Sequence, residues 1–141
     1  MRTPPKPLSA YPWQSRHDLR FADLDPLGHI NNGAYGSLME SNRAALFTSC
    51  GLMRAVSVAL VRIEMDFLKE MHWPGEAVAA SGFEHVGRSS FRLRQGVFKD
   101  GVCTAQAVST LCLLNLQTRR AEAISDALRA DFARWALVEQ S

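Results

Sequence analysis

One change of period in the apolar pattern constrains this chain more than anything else in it. From about Asn32 to Cys50, Tyr35, Leu38, Met39 and Leu46 fall on one face of a helix. Asn31 or Asn32 serves as its N-cap and Gly51 as the C′ residue that ends it. Downstream the period drops to two. Val61, Ile63, Met65 and Phe67 alternate with Arg62, Glu64 and Asp66, which predicts a strand with one buried face. Pro74-Gly75 turns the chain, and strands are expected at about 78–86, 89–98 and 102–114, the last two joined by a tight hairpin at Lys99-Asp100-Gly101. Leu111 to Leu114 are apolar on both faces, which places the last strand centrally. A short first strand is expected at His17–Ala22, and Ser125 caps a closing helix whose Leu128, Phe132 and Trp135 share a face. The expected order is strand, long helix, four strands in hairpin succession, short helix: an α+β chain with an antiparallel sheet. One long helix covers one face of such a sheet, so the remaining apolar surface and free edges call for at least a dimer.

Composition narrows the class. With 141 residues, 47% of them hydrophobic, the chain has material for one domain, 1–141, and a substantial core. A formal charge of +2 with scattered Lys and Arg gives no stripe for nucleic acid and no basic face for a membrane. Residues 1–15 read as a loose, proline-rich arm without the apolar run of a secretory signal, and Arg62 and Glu64 interrupt the most apolar stretch well short of the ~20 residues of a spanning helix. Cys50, Cys103 and Cys112 are odd in number and form no C-x-x-C pair, the usage of reduced thiols in a cytoplasmic protein. Cys50 has no histidine near it in sequence to activate it as a nucleophile.

The chemistry concentrates between Arg20 and Asn32, where Asp23, Asp25, His29, Asn31 and Asn32 crowd a loop that runs into the long helix. A helix N-terminus offers unpaired N–H groups and partial positive charge to a carbonyl oxygen. A carboxylate delivered to the same place can act as base or nucleophile. Asp25 has two readings: Asp-Pro opens a turn, or the carboxylate does chemistry beside His29 and the asparagine pair. Asp23 is expected to be a supporting residue. His29 either orients a reacting group or bonds loop carbonyls. Asn31 and Asn32 read as caps, with the Asn32 N–H as the polarising donor. Tyr35 and Glu40 fall on the helix face, Glu40 forming an i,i+3 pair with Arg43. No metal is expected, because His17, His72 and His85 show no H-x-x-x-H spacing.

Phe21, Asp23, Asp25, Gly28, His29, Asn31, Asn32 and Tyr35, followed by Glu40 and Arg43 on the helix, resemble the hotdog-fold thioesterases of the 4-hydroxybenzoyl-CoA thioesterase type. The similarity continues through Ile63 to Leu68 and through Val86-Gly87-Arg88-Ser89-Ser90-Phe91. The resemblance implies a five-stranded antiparallel sheet wrapped around one long central helix, with a short C-terminal helix and active sites at a dimer interface. It implies hydrolysis of an acyl- or aryl-CoA to the acid and CoA by a homodimer or homotetramer, with no cofactor beyond the coenzyme A of the substrate. The catalytic carboxylate then falls on Asp25, the polarising amide at Asn32 and the family's histidine on His29. Tyr35, Glu64, Arg88, Ser89 and Ser90 fall at substrate-binding positions. Arg88 with Ser89 and Ser90 either holds a CoA phosphate or simply makes a turn. Three residues depart from the pattern: Leu27, where acyl carrier protein thioesterases of plants have asparagine; Gly36, inside the helix; and Asn42, at a position usually small and apolar. Three other readings stand beside acyl-CoA hydrolysis: a non-catalytic hotdog module that binds acyl groups or CoA, an acyl carrier protein thioesterase, and a hotdog hydratase or dehydratase.

Overall fold

In the computed structural model, which describes residues 3–52 and 56–140, a five-stranded sheet curves around one long helix. The elements are β1 (Trp13–Asp18), α1 (Asn32–Ser49), β2 (Val56–Phe67), β3 (Glu76–Val86), β4 (Ser90–Lys99), β5 (Val102–Asn115) and α2 (Asp126–Arg134). The strand order is β1-β3-β4-β5-β2 with every pair antiparallel.

The local signals for helix ends and the tight hairpin hold. Asn31 caps α1 by accepting from the Ala34 N–H at 2.9 Å, and Gly51 follows the helix at φ 73°. Ser125 caps α2 through the Leu128 N–H. Asp100 and Gly101 take φ 52° and 78°, the left-handed pair that a two-residue hairpin requires.

Longer-range pairing departs from the expected hairpin succession. β2 pairs with β5 at one edge of the sheet, and β3 lies next to β1 near the other. Residues 68–75 therefore cross the ends of β5 and β4. Leu68 and Lys69 N–H groups donate to the Thr104 carbonyl, and Lys99 Nζ donates to the His72 and Pro74 carbonyls at 2.6 and 2.9 Å. β5 is interior but the central strand is β4. The first strand is Trp13–Asp18, earlier than expected, and Phe21–Asp23 forms a 3₁₀ turn. There the Arg20 guanidinium grips the Asp23 carboxylate at 2.7 and 2.9 Å and draws the chain out of extended form. The arm is not loose from Thr3 onward: Thr3 and Pro4 carbonyls accept from Gln106 and Arg94, and Ala10 and Tyr11 are buried.

β2 buries only part of the face its alternation promised: Met65 packs against the core at the start of α1. Val61, Ile63 and Phe67 remain 65%, 40% and 42% exposed, with Leu60 beside them. A register shift between Leu60 and Arg62 interrupts the pairing with β5, and β2 is an edge strand. The opposite edge is better covered. Beyond β1, Phe83 of β3 bonds Trp135 and Leu137 of the chain that follows α2.

The core has two ends. Leu19, Ile30, Tyr35, Met39, Met71 and Val97 pack at the start of α1. Leu46, Phe47, Phe83, Phe91, Leu111 and Phe132 pack at its far end, where Phe83 and Phe132 stack at 4.2 Å. Between them Asn42, fully buried, explains its own departure from the family pattern. Its Nδ2 donates to Ser15 Oγ and the Ala79 carbonyl at 2.8 and 3.0 Å, while its Oδ1 accepts from Ser81 and Gln95. All of its amide hydrogen-bonding capacity is used, which is what burial of such a group demands.

Candidate active site

The loop between the 3₁₀ turn and α1 is built by its own residues. Asp25 N–H donates to the His29 carbonyl at 2.8 Å, Gly28 N–H donates to the Asp25 carbonyl at 3.0 Å, and Leu24 bridges Ile30. Pro26 suits the second position of this turn, and Gly28 adopts φ 83°, where a side chain would be strained. The Asp25 side chain joins in: its Oδ1 accepts from both Leu27 and His29 N–H groups at 3.0 Å. One carboxylate oxygen thus fixes the loop and the second has no hydrogen-bond partner among the described residues. The turn-forming and chemical readings of Asp25 are compatible, since each uses a different oxygen.

Asp23 is committed elsewhere. Its hydrogen bonds from Arg20 hold the carboxyl below the usual carboxylate range, and its carbonyl accepts from Asn31 N–H and Nδ2, both at 2.8 Å. These bonds seat the cap of α1. The Asn32 and Gly33 N–H groups at the exposed helix start have no partner among the described residues.

Asp25, His29, Asn32 and Tyr35 line one cleft of about 240 Å³, closed on the other side by Phe67, Leu68, Lys69 and Glu70. Tyr35 is a wall of it: its hydroxyl donates to the Lys69 carbonyl at 3.3 Å, its ring packs edge-on against Phe67, and burial raises the phenol pKa. His29 does not meet the Asp25 carboxylate through its ring. Its Nε2 lies 3.2 Å from Glu70 Oε2, and its ring stands edge-on to His72 at 5.1 Å. Glu70 was not singled out from the sequence, and His72 was set aside there for lack of H-x-x-x-H spacing; the two alternate about the buried Met71.

The other expected substrate residues lie elsewhere in the molecule. Glu64 is exposed on β2, paired with Arg62, and borders a separate depression with Asp66, Arg94 and Gln106. Arg88, Ser89 and Ser90 form the β3–β4 turn, where the Arg88 and Ser89 carbonyls accept from Ile124 and Leu113. β3 runs from beside Leu19 to this turn, and its 11 residues at ~3.3 Å each put the turn roughly 33 Å from the start of the strand. The cysteines are free and half-buried, and burial raises the pKa of Cys50 and Cys103, which disfavours the thiolate. Among the described residues no helix is long and apolar enough to cross a membrane.

Comparison with known proteins bears on the fold and the family. No curated protein matches the chain in sequence. Solved structures do. A thioesterase from Thermus thermophilus, complexed with coenzyme A and Zn, is 29% identical, covering 86% of this chain and 98% of that one at a TM-score of 0.77. A predicted thioesterase from Bacillus stearothermophilus is 22% identical over 91% of this chain and 98% of its own, at 0.83. A Pseudomonas aeruginosa protein with 20% identity covers 97% of this chain and 100% of its own, at 0.86. Residues 19–132 match the thioesterase-like superfamily, a span holding the whole of α1, the cleft and four of the five strands. The fold is the hotdog, and the chain belongs to the thioesterase-like superfamily.

Proposed function

We propose that this protein hydrolyses acyl-CoA thioesters at the Asp25 cleft. The observation that carries the reading is the Asp25 carboxylate, held by Oδ1 with its other oxygen free, in one cleft with the open first turn of α1. In this reading the thioester carbonyl oxygen takes the Asn32 N–H, where the helix end stabilises the charge that develops on it. Asp25 either removes a proton from the attacking water or attacks the carbonyl carbon itself, forming an anhydride that water cleaves after CoA has left. The C–S bond then breaks and CoA leaves as a thiolate, whose pKa resembles the ~8.5 of a cysteine, so it needs no strong acid. His29, turned toward Glu70, has the place of an orienting group.

The edge of β2 supports an assembly of two copies. Its apolar residues and 12-residue unpaired edge are uncovered in one protomer, whereas the opposite edge is the short β1, 6 residues long, with the tail after α2 pairing to Phe83 of β3 beyond it. Arg88 and its turn, at the far end of the same protomer, would reach a bound CoA only from a second copy. In this proposal the dimer is what joins cleft and nucleotide site.

The decisive experiment is thiol release from short, medium, long and aromatic acyl-CoAs by the wild type and by Asp25→Asn. Turnover of one substrate class by the wild type, lost in the variant, is the expected result. Release of thiol from none of the panel would overturn the acyl-CoA reading, and an enoyl-CoA would then separate a hydratase, which removes the enoyl absorbance, from a binding module, which leaves it unchanged.

A further inference from the structure

We propose that His29, Glu70 and His72 form a three-ligand site for a divalent transition-metal ion of the zinc class, at the rim of the Asp25 cleft. One donor atom from each lies within 4.8 Å of the others. Glu70 Oε2 is the hub, 3.2 Å from His29 Nε2 and 3.8 Å from His72 Nε2. Donors bound at ~2.0–2.1 Å in a tetrahedron stand about 3.4 Å apart, so small side-chain rotations close the set. Two imidazoles and one carboxylate suit zinc and its neighbours, whereas magnesium and calcium prefer oxygen alone.

The backbone beneath these side chains is fixed. Met71, 1% exposed, anchors the segment between the two outward-facing ligands, and its carbonyl accepts from Ile30 N–H at 2.8 Å. Lys99 Nζ holds the His72 carbonyl, and the Asp25 carboxylate holds His29 N–H at 3.0 Å. A simple ion pair accounts for one histidine beside Glu70. A second imidazole is directed at the same oxygen, an arrangement that a shared cation satisfies. Glu70 and His72 are exposed, which leaves the fourth position to water.

Occupancy ties up the His29 ring at the cleft and should inhibit turnover. That consequence rests on the thioesterase reading; the binding does not. The test is titration of the untagged, chelator-treated protein with Co²⁺, read by visible absorption and followed by displacement with Zn²⁺. One Co²⁺ per chain in a low-coordinate spectrum is expected, with affinity falling at least ~10-fold in His72→Ala, the lower end of what even an outer-shell partner costs. Thiol release in chelator should be unchanged in His72→Ala, and Zn²⁺ should inhibit the wild type but not the variant. No Co²⁺ binding to the wild type, or equal binding in wild type and His72→Ala, overturns the proposal. A protein that binds Co²⁺ as expected but releases no thiol upholds the metal site and removes the hydrolase reading.

Discussion

At the far end of the sheet Phe132 is fully buried, stacked on Phe83 and packed at 4.9 Å from Phe91, with α2 as the lid. At the near end Asp25 and His29 are half exposed, on a loop whose hydrogen bonds run mostly within itself. The far end devotes aromatic area to cohesion. The near end satisfies its own backbone locally and so can hold polar groups at a surface without help from the core. Stability and chemistry are therefore expected to respond to different substitutions.

The largest effect should come from the aromatic end. Phe132→Ala removes a ring with no exposed surface and is expected to cost about 3–5 kcal/mol in urea unfolding, with turnover per folded molecule preserved. Asp25→Asn should do the reverse. The amide keeps an acceptor oxygen for the Leu27 and His29 N–H groups, so the unfolding midpoint should hold while thiol release falls at least ~100-fold, about 2.7 kcal/mol of barrier. A wild-type rate in this variant would end the assignment of chemistry to the near end. Asn42→Leu lies between the two ends and should destabilise by about 1–3 kcal/mol, because Ser15, Ser81, Gln95 and the Ala79 carbonyl lose a buried partner together. Gly36→Ala should stabilise by about 1 kcal/mol, since an added Cβ meets nothing within 4 Å and alanine favours the helix.

The smallest effect concerns acid. Arg20 depresses the Asp23 carboxyl pKa, so the pair contributes stability above the ordinary carboxylate range and loses it as pH falls through the lowered folded-state value. Arg20→Gln should flatten that acid limb in pH-dependent unfolding by lowering neutral stability slightly and leaving acid stability unchanged, the loss being small because the guanidinium is exposed.

Helix bounds, caps and the β4–β5 hairpin were legible because each is decided within a few residues, by a side-chain acceptor or a left-handed φ. The Asp25 loop was legible for the same reason. Pairing of β2 was not: Pro74-Gly75 looks like a hairpin turn, yet what decides the neighbour is β5, far along the chain. The apolar face of β2 was read as buried because alternation reports a need for cover and not who supplies it. The grouping of Glu70 and His72 with His29 was not legible, and His72 was set aside for want of H-x-x-x-H spacing, because both sit in an irregular crossing and meet His29 only through the fold.

Asn42 also has a mechanical consequence. An apolar helix lying in a curved sheet can slide or roll at little cost, because one greasy contact replaces another. A side chain whose four bonds reach β1, β3 and β4 permits neither, since any screw motion would strand several partners at once. The amide works as a locating pin through a shaft. At ~1.5 Å per residue it indexes the tip of α1, about 15 Å away, to a fixed depth, so the mouth of the cleft inherits its dimensions from the middle of the molecule.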